Sequence, residues 1–113
     1  MKFTTSLKKN YQFRLVYNKG RSLANTLLVL YVMENGAGIN RLGLSVSKKV
    51  GNSVVRHRVS RLIRESYRLR ENEAAPGYDM IVIARPPSAA KPFADIDAAL
   101  WDLLNRFAPA RKI

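Results

Sequence analysis

The pattern of hydrophobic and polar positions predicts three helices along the chain. The first covers residues 10–18, where Phe13, Val16 and Tyr17 recur at helical spacing and Gly20 follows as a C-terminal cap. The second covers residues 53–70. The third begins after Lys91-Pro92, and its apolar residues recur at i, i+3 and i+4 positions: Phe93, Ile96, Leu100, Leu103, Leu104 and Phe107.

Three further segments have the pattern of strands. Residues 26–33 are apolar on both faces, as in a central strand, residues 41–47 alternate, and residues 78–85 are again apolar. The turn residues within 34–40 predict a hairpin between the first two strands. The order strand, helix, strand then predicts a parallel pair. Residues 21–25 are too short to show a period, so both a brief strand and a linker stay open.

The second helix is amphipathic, with Asn52 or Ser53 as its N-cap. At about 100° per residue, its apolar residues gather on one side. They are Val55, Val59, Leu62, Ile63 and Leu69. A set that we call the cationic stripe lies on the other side and is about 16 Å long. It consists of His57, Arg61, Arg64 and Arg68.

The charge indicates what the cationic stripe binds. The chain has 20 Lys plus Arg against 8 Asp plus Glu, a net charge of +12, while 47% of its residues are apolar, as in a folded domain. Acidic partners at i, i+4 are largely missing from this helix, so a merely solvated face is the weaker interpretation. We therefore expect a partner that carries phosphates.

The N-terminal end of the second helix also carries cations, although the helix dipole disfavours positive charge there. Arg56 and Arg58 lie in the first turns of the second helix, and Lys48 and Lys49 lie just before it. Free backbone N–H groups at a helix N-terminus bind anions. The sequence thus predicts a phosphate site at this end.

One face of residues 41–47 has little bulk, since it carries Gly43, Ser45 and Ser47 beside Arg41. This leaves room for the backbone of a ligand to approach. A solvated sheet face explains the pattern equally well, and both interpretations stay open from the residues alone.

Several classes of protein are excluded or disfavoured. A length of 113 residues predicts a single domain over residues 1–113. The chain has no cysteine, and its longest apolar run, residues 27–33, is too short for a membrane helix, so we expect it in the cytoplasm. It has one histidine and few, scattered carboxylates, which gives no convincing catalytic set and no metal site in the protein.

The segment from Gly43 to Glu65, GLSVSKKVGNSVVRHRVSRLIRE, resembles the signature of the bacterial ribonuclease P protein subunit. A weaker similarity extends over most of the chain. The resemblance implies an α+β fold, a two-layer α/β sandwich in which a mixed sheet of about four strands packs with three helices, as in some ribosomal proteins. It also implies a left-handed βαβ crossover, where the elements alone favour the usual right-handed one.

The same resemblance implies a protein that binds the catalytic RNA of ribonuclease P and the 5′ leader of precursor tRNA. Catalysis and its Mg²⁺ ions are then expected in the RNA subunit, with no membrane or small-molecule partner. The RNA-facing positions would be Lys48, Lys49, Asn52, Arg56, Arg58, Arg61, Arg64 and Arg68. The leader cleft would use Phe13, Tyr17, Tyr31, Ser45 and Ser47.

His57 departs from the family pattern, which usually has Asn there, as Ser60 departs from a usual basic residue. A protonated His57 would donate to phosphate, so we include it among the RNA-binding residues beside the alternative that it is only solvated. Two rival functions remain to be tested, a ribosomal or other basic RNA-binding protein without a processing role, and a free-standing ribonuclease.

Overall fold

The computed structural model describes residues 3–107, which form five strands and three α-helices. In chain order these are β1 (Thr4–Ser6), α1 (Asn10–Lys19), β2 (Arg21–Ala24), β3 (Leu28–Glu34), β4 (Asn40–Ser45), α2 (Ser53–Leu69), β5 (Tyr78–Ala84) and α3 (Phe93–Phe107). The mixed α+β fold is confirmed, with five strands in the sheet instead of about four. No helix within residues 3–107 is long and apolar enough to cross a bilayer.

The strands form one mixed sheet in the order β1-β4-β5-β3-β2. The predicted parallel pair is confirmed, because β4 and β5 are parallel neighbours joined through α2. The hand of this crossover stays a prediction. Residues 21–24 form β2, which settles the alternative left open for this segment, and the short strand β1 had no detectable pattern.

The predicted hairpin between β3 and β4 is wrong. β5 lies between these strands and pairs with both, antiparallel to β3 and parallel to β4. Its side chains are buried on both faces of the sheet, as shown by the fully buried neighbours Ile81 and Val82. A strand that is apolar on both sides buries the most apolar surface at the centre of a sheet, so β5 lies between β3 and β4.

The larger core lies between one face of the sheet and the helices α2 and α3. From α2, Val59, Ile63 and Tyr67 are completely buried in it. The ring of Tyr67 stacks on Trp101 of α3 at 6.2 Å between centroids. These contacts fix the rotation of α2 about its axis and turn its opposite side outward.

Buried polar contacts attach β1 to this core. The Tyr67 hydroxyl lies 2.9 Å from Thr4 Oγ1, and Asn40 Nδ2 donates to the same hydroxyl at 3.2 Å. The Phe3 N–H donates to a carboxylate oxygen of the buried Glu71. The partners lie far apart in sequence, which explains why a three-residue strand escaped the pattern analysis.

Helix α1 packs on the other face of the sheet, over a small core of Leu7, Val16 and Ile81. Gly43 allows this contact, because a Cβ added there would lie 2.6 Å from Phe13 Cζ. Gly20 is the C-cap as predicted, and its N–H donates to the Val16 carbonyl. Its φ of −78° is open to any residue. Glycine is required there for space, because a Cβ would lie 2.7 Å from the carbonyl oxygen of Val32.

We expect Gly43→Ala to lower the free energy of unfolding by about 1–3 kcal/mol, because the new methyl group forces the Phe13 ring to move. Urea unfolding measures this change. Gly38→Ala is the matched control, since a Cβ there meets no atom within 4 Å, and its effect should stay within about 0.5 kcal/mol. Equal stability of the two variants would contradict the proposed packing of α1.

Candidate nucleic-acid interface

The cationic stripe lies on the outer side of α2. His57, Arg61, Arg64 and Arg68 are all exposed, and together with Glu65 they line an open depression. The buried residues of α2 lie on the opposite side of the same helix. The structure therefore presents the stripe to solvent as one continuous surface.

Most of this charge is not neutralised by the protein itself. Arg68 forms an ion pair with Glu65 at 2.5 Å, and its hydrogen bond holds the pKa of the Glu65 carboxyl below its usual value. Within residues 3–107, no carboxylate pairs with Arg61 or Arg64. These two guanidinium groups are available to an external anion.

The N-terminal end of α2 combines a cap with nearby cations. Asn52 Oδ1 accepts a hydrogen bond from the Val55 N–H at 3.0 Å, so this side-chain oxygen stabilises the helix. Lys48 and Lys49 are exposed in the preceding turn, and the first turn of α2 contains no acidic residue. Helix N–H groups at such an end have no acceptor within the helix, so they favour an anion.

Arg56 and Arg58 have environments that differ from those of the cationic stripe. Arg58 donates to the carbonyl of Lys91 at 2.9 Å and to that of Ala89 at 3.4 Å, which ties α2 to the segment before α3. Arg56 is half-buried, and its Nε atom is enclosed without a hydrogen-bond partner in the described part of the chain. RNA contact by either side chain stays a prediction, and Arg58 has a structural role that sequence spacing did not reveal.

A second candidate surface, which we call the groove, lies on the sheet face beside α1. Its aromatic wall is formed by Phe13, Tyr17 and Tyr31, with ring centroids 6.3 Å apart for the first pair and 5.0 Å for the second. Tyr17 is 37% exposed. Phe13 and Tyr31 are half-buried against the small core, so Tyr17 has the most open of the three rings on which an unpaired base could stack.

The floor of the groove comes from three strands. The register places Val29 and Ser45 on either side of Ile83, and all three are half-buried. Ser47 is exposed just beyond the end of β4, where its carbonyl accepts from the Val50 N–H. Val29 and Ile83 were not among the predicted site residues, because only the pairing of β5 with both neighbours brings them beside Ser45.

The chemistry of these surfaces is that of binding. Within residues 3–107, no group of three or more His, Asp or Glu side chains is arranged to hold a metal ion. The buried carboxylate of Asp79 is already used within the fold, because it accepts hydrogen bonds from Arg41 Nε at 2.6 Å and from Asn35 Nδ2 at 3.0 Å. The two surfaces thus offer guanidinium groups for phosphates and aromatic rings for bases.

Comparison with known proteins agrees with this arrangement. A family model described as Ribonuclease P matches residues 1–108. A ribonuclease P protein component from Alkaliphilus metalliredigens is 49% identical over 106 residues, which cover 94% of this chain and 96% of the relative. The RNase P protein structure from Staphylococcus aureus has a TM-score of 0.86 at 36% identity and covers 94% of this chain and 97% of its own. That from Thermotoga maritima has a TM-score of 0.84 at 30% identity, with coverages of 89% and 96%.

We expect Arg58→Ala to lower the free energy of unfolding by about 1–2 kcal/mol without any RNA present, because two carbonyls lose a charged donor. Arg64→Ala, which removes an unpaired cation from the same helix, should change it by less than about 0.5 kcal/mol. Urea unfolding of both variants makes the comparison. If both variants unfold alike, the structural role of Arg58 is refuted.

Proposed function

Since the chain belongs to the bacterial ribonuclease P protein family, we propose that its two surfaces have separate RNA partners in that ribonucleoprotein. The chain is a protein subunit of ribonuclease P, an endoribonuclease in which catalysis resides in the RNA, and its partner is RNA. In our proposal the cationic stripe and the N-terminal end of α2 bind the catalytic RNA. The groove binds the 5′ leader of precursor tRNA.

One observation carries the proposal for the catalytic RNA. Arg61 and Arg64 are exposed and unpaired within residues 3–107, on a helix whose other side buries Val59, Ile63 and Tyr67 completely. Leu69, which was predicted on the packed side, is 56% exposed at the end of the helix. A planar guanidinium donates to two phosphate oxygens at once and keeps its charge near neutral pH. A row of such groups on a rigid helix therefore fits the regular spacing of phosphates along an RNA backbone.

The groove supports the proposal for the leader. The leader is single-stranded, so its bases are free to stack on aromatic side chains. Tyr17 and Tyr31 form part of the wall, and the small side chain of the half-buried Ser45 leaves room for a backbone to approach the neighbouring strand. Selective binding of the leader would let the enzyme prefer precursor tRNA over mature tRNA.

The protein then contributes affinity while RNA performs the hydrolysis. We propose that the Mg²⁺ ions of the reaction are held by the RNA subunit and that the protein lowers the repulsion between two polyanions, which reduces the need for free Mg²⁺. Because the substrate is a newly made tRNA, we infer a cytoplasmic location.

Adding the chain to a bacterial ribonuclease P RNA at low Mg²⁺ should restore cleavage at the tRNA 5′ end. The reconstituted complex should also bind precursor tRNA more tightly than mature tRNA, since only the precursor has a leader for the groove. Single-turnover cleavage and competition binding measure the two effects. A ribosomal-type protein would show no preference, and a free-standing ribonuclease would cleave without the RNA.

A variant of the groove tests the leader contact separately. Tyr17→Ala should weaken binding of precursor tRNA by about 5-fold or more, as expected for one lost stacking contact. Binding of mature tRNA should not change. Tyr11→Ala is the matched control, because Tyr11 is an exposed tyrosine of α1 that makes no ring contact within residues 3–107. Equal weakening by both variants would reject the groove.

The salt dependence tests the cationic stripe. If four to six phosphates are neutralised, log K for the RNA should fall against log salt with a slope of about −3 to −4 for single-stranded RNA, and up to about −5 where the contacted RNA is a duplex. Arg61→Ala and Arg64→Ala should each make the slope shallower by somewhat under one unit. Arg106→Ala, which removes a cation of α3 paired with Asp102, should leave it unchanged. An unaltered slope in both stripe variants would remove the stripe from the interface.

A further inference from the structure

The loop of residues 35–39, between β3 and β4, contains the only asparagine of the chain that is followed by glycine, Asn35-Gly36. Asparagine is one of the thermolabile residues of proteins. The backbone nitrogen of the following residue attacks the side-chain carbonyl carbon and displaces ammonia, and glycine hinders this attack least because it has no Cβ. The sequence therefore places the most reactive type of deamidation site in this loop.

In the folded protein, hydrogen bonds hold both polar atoms of the Asn35 side chain. Nδ2 donates at 3.0 Å to the carbonyl of Ile39 and at 3.0 Å to Oδ1 of Asp79, while Oδ1 accepts from the Ala37 N–H at 2.8 Å. Asp79 is only 3% exposed, and the same carboxylate oxygen accepts from Arg41. Asn35 thus anchors the loop to a buried carboxylate near the start of β5.

These hydrogen bonds oppose deamidation. The side-chain carbonyl carbon of Asn35 must come within bonding distance of the Gly36 nitrogen, and the amide nitrogen must leave as ammonia. Both hydrogen bonds that Nδ2 donates break in this step, so the buried Asp79 carboxylate loses a donor, and an unsatisfied buried group is costly. The reaction therefore requires a local opening of the loop or unfolding of the chain.

The product of the reaction does not restore the anchor. Attack by the Gly36 nitrogen closes a succinimide ring, and the N–H proton leaves with the amide as ammonia. Water then opens one of the two ring carbonyls, which gives either aspartate or iso-aspartate, the latter with an extra methylene group in the backbone. The aspartate carboxylate has no hydrogen to donate, and it would face the buried Asp79 carboxylate, so the two groups repel each other.

We propose that Asn35 is a deamidation site that the fold keeps unreactive, and that its modification irreversibly releases the loop of residues 35–39 from Asp79. The site is separate from both RNA surfaces, since the loop precedes the first residue of β4 and the groove lies at the other end of this strand, beside Ser45. Molecules in which the loop opens more often are modified first. A modified molecule then opens more readily than before.

The first test measures the rate of deamidation at Asn35 by peptide mass spectrometry, in the folded chain and in guanidinium chloride at the same mildly alkaline pH. We expect the rate in denaturant to exceed the rate in the folded chain by about 10-fold or more. Asn18 is the internal reference, because it is exposed and precedes a lysine, so in denaturant it should react more slowly than Asn35. Equal rates at Asn35 with and without denaturant, or equal rates at the two asparagines in denaturant, would overturn the proposal.

The second test compares the equilibrium constants of unfolding of three variants with that of the unchanged chain. Asn35→Ala removes the side-chain hydrogen bonds without adding charge and should raise the constant about 10-fold. Asn35→Asp also places a carboxylate beside Asp79 and should raise it about 5-fold further. Asn18→Asp adds the same charge at an exposed site and should change it less than about 3-fold. An Asn35→Asp variant as stable as Asn35→Ala would overturn the proposal, whereas failure of Asn35→Asp alone to fold would support it.

Discussion

Burial of one side of α2 is the interaction on which the other features of this protein depend. Val59, Ile63 and Tyr67 are completely enclosed between the sheet and α3. Because these residues set the rotation of the helix, the cationic stripe can only face outward. Within residues 3–107, Glu65 is the only carboxylate that pairs with the stripe, so the repulsion among its guanidinium groups is reduced mainly by solvent or by an external polyanion.

The groove depends on the lack of a side chain at Gly43 of β4. Gly43 allows the Phe13 ring to lie directly on β4, which seats α1 across the sheet. The helix covers only part of this face, so the row of Val29, Ile83 and Ser45 stays half-exposed beside the aromatic wall. The groove is therefore the uncovered remainder of a sheet face, and its width follows from where α1 crosses.

The two surfaces lie on opposite faces of the sheet and share little chemistry. The stripe provides charge on a rigid helix, which suits a structured RNA whose phosphates hold fixed positions. The groove provides rings and a low backbone, which suits an unpaired strand. The two surfaces therefore offer separate contacts for a folded RNA and for an unpaired strand.

Several features followed from local pattern. The helices, the N-cap at Asn52 and the two-sided character of α2 were predictable, because helical periodicity and capping involve residues within a few positions of each other. The family resemblance extended this to the α+β fold and to the identity of the ribonucleoprotein. The predicted hairpin was wrong because strand pairing is non-local. Two strands joined by a turn pair with each other only if no third strand buries more apolar surface between them, and here β5 does so.

What the sequence determined by itself was the composition of each surface: an arginine stripe opposite an apolar side, and a strand with little bulk on one face. Only the tertiary structure decided which of these side chains have partners within the protein and which face solvent. In the tertiary structure Arg58 donates to carbonyls some thirty residues away, whereas Arg61 and Arg64 have no carboxylate partner within residues 3–107. Strand pairing also brings Val29 and Ile83 into the groove. The physical reason is that helical periodicity acts within a few residues, whereas the partner of a guanidinium or the neighbour of a strand is set by contacts between distant parts of the chain.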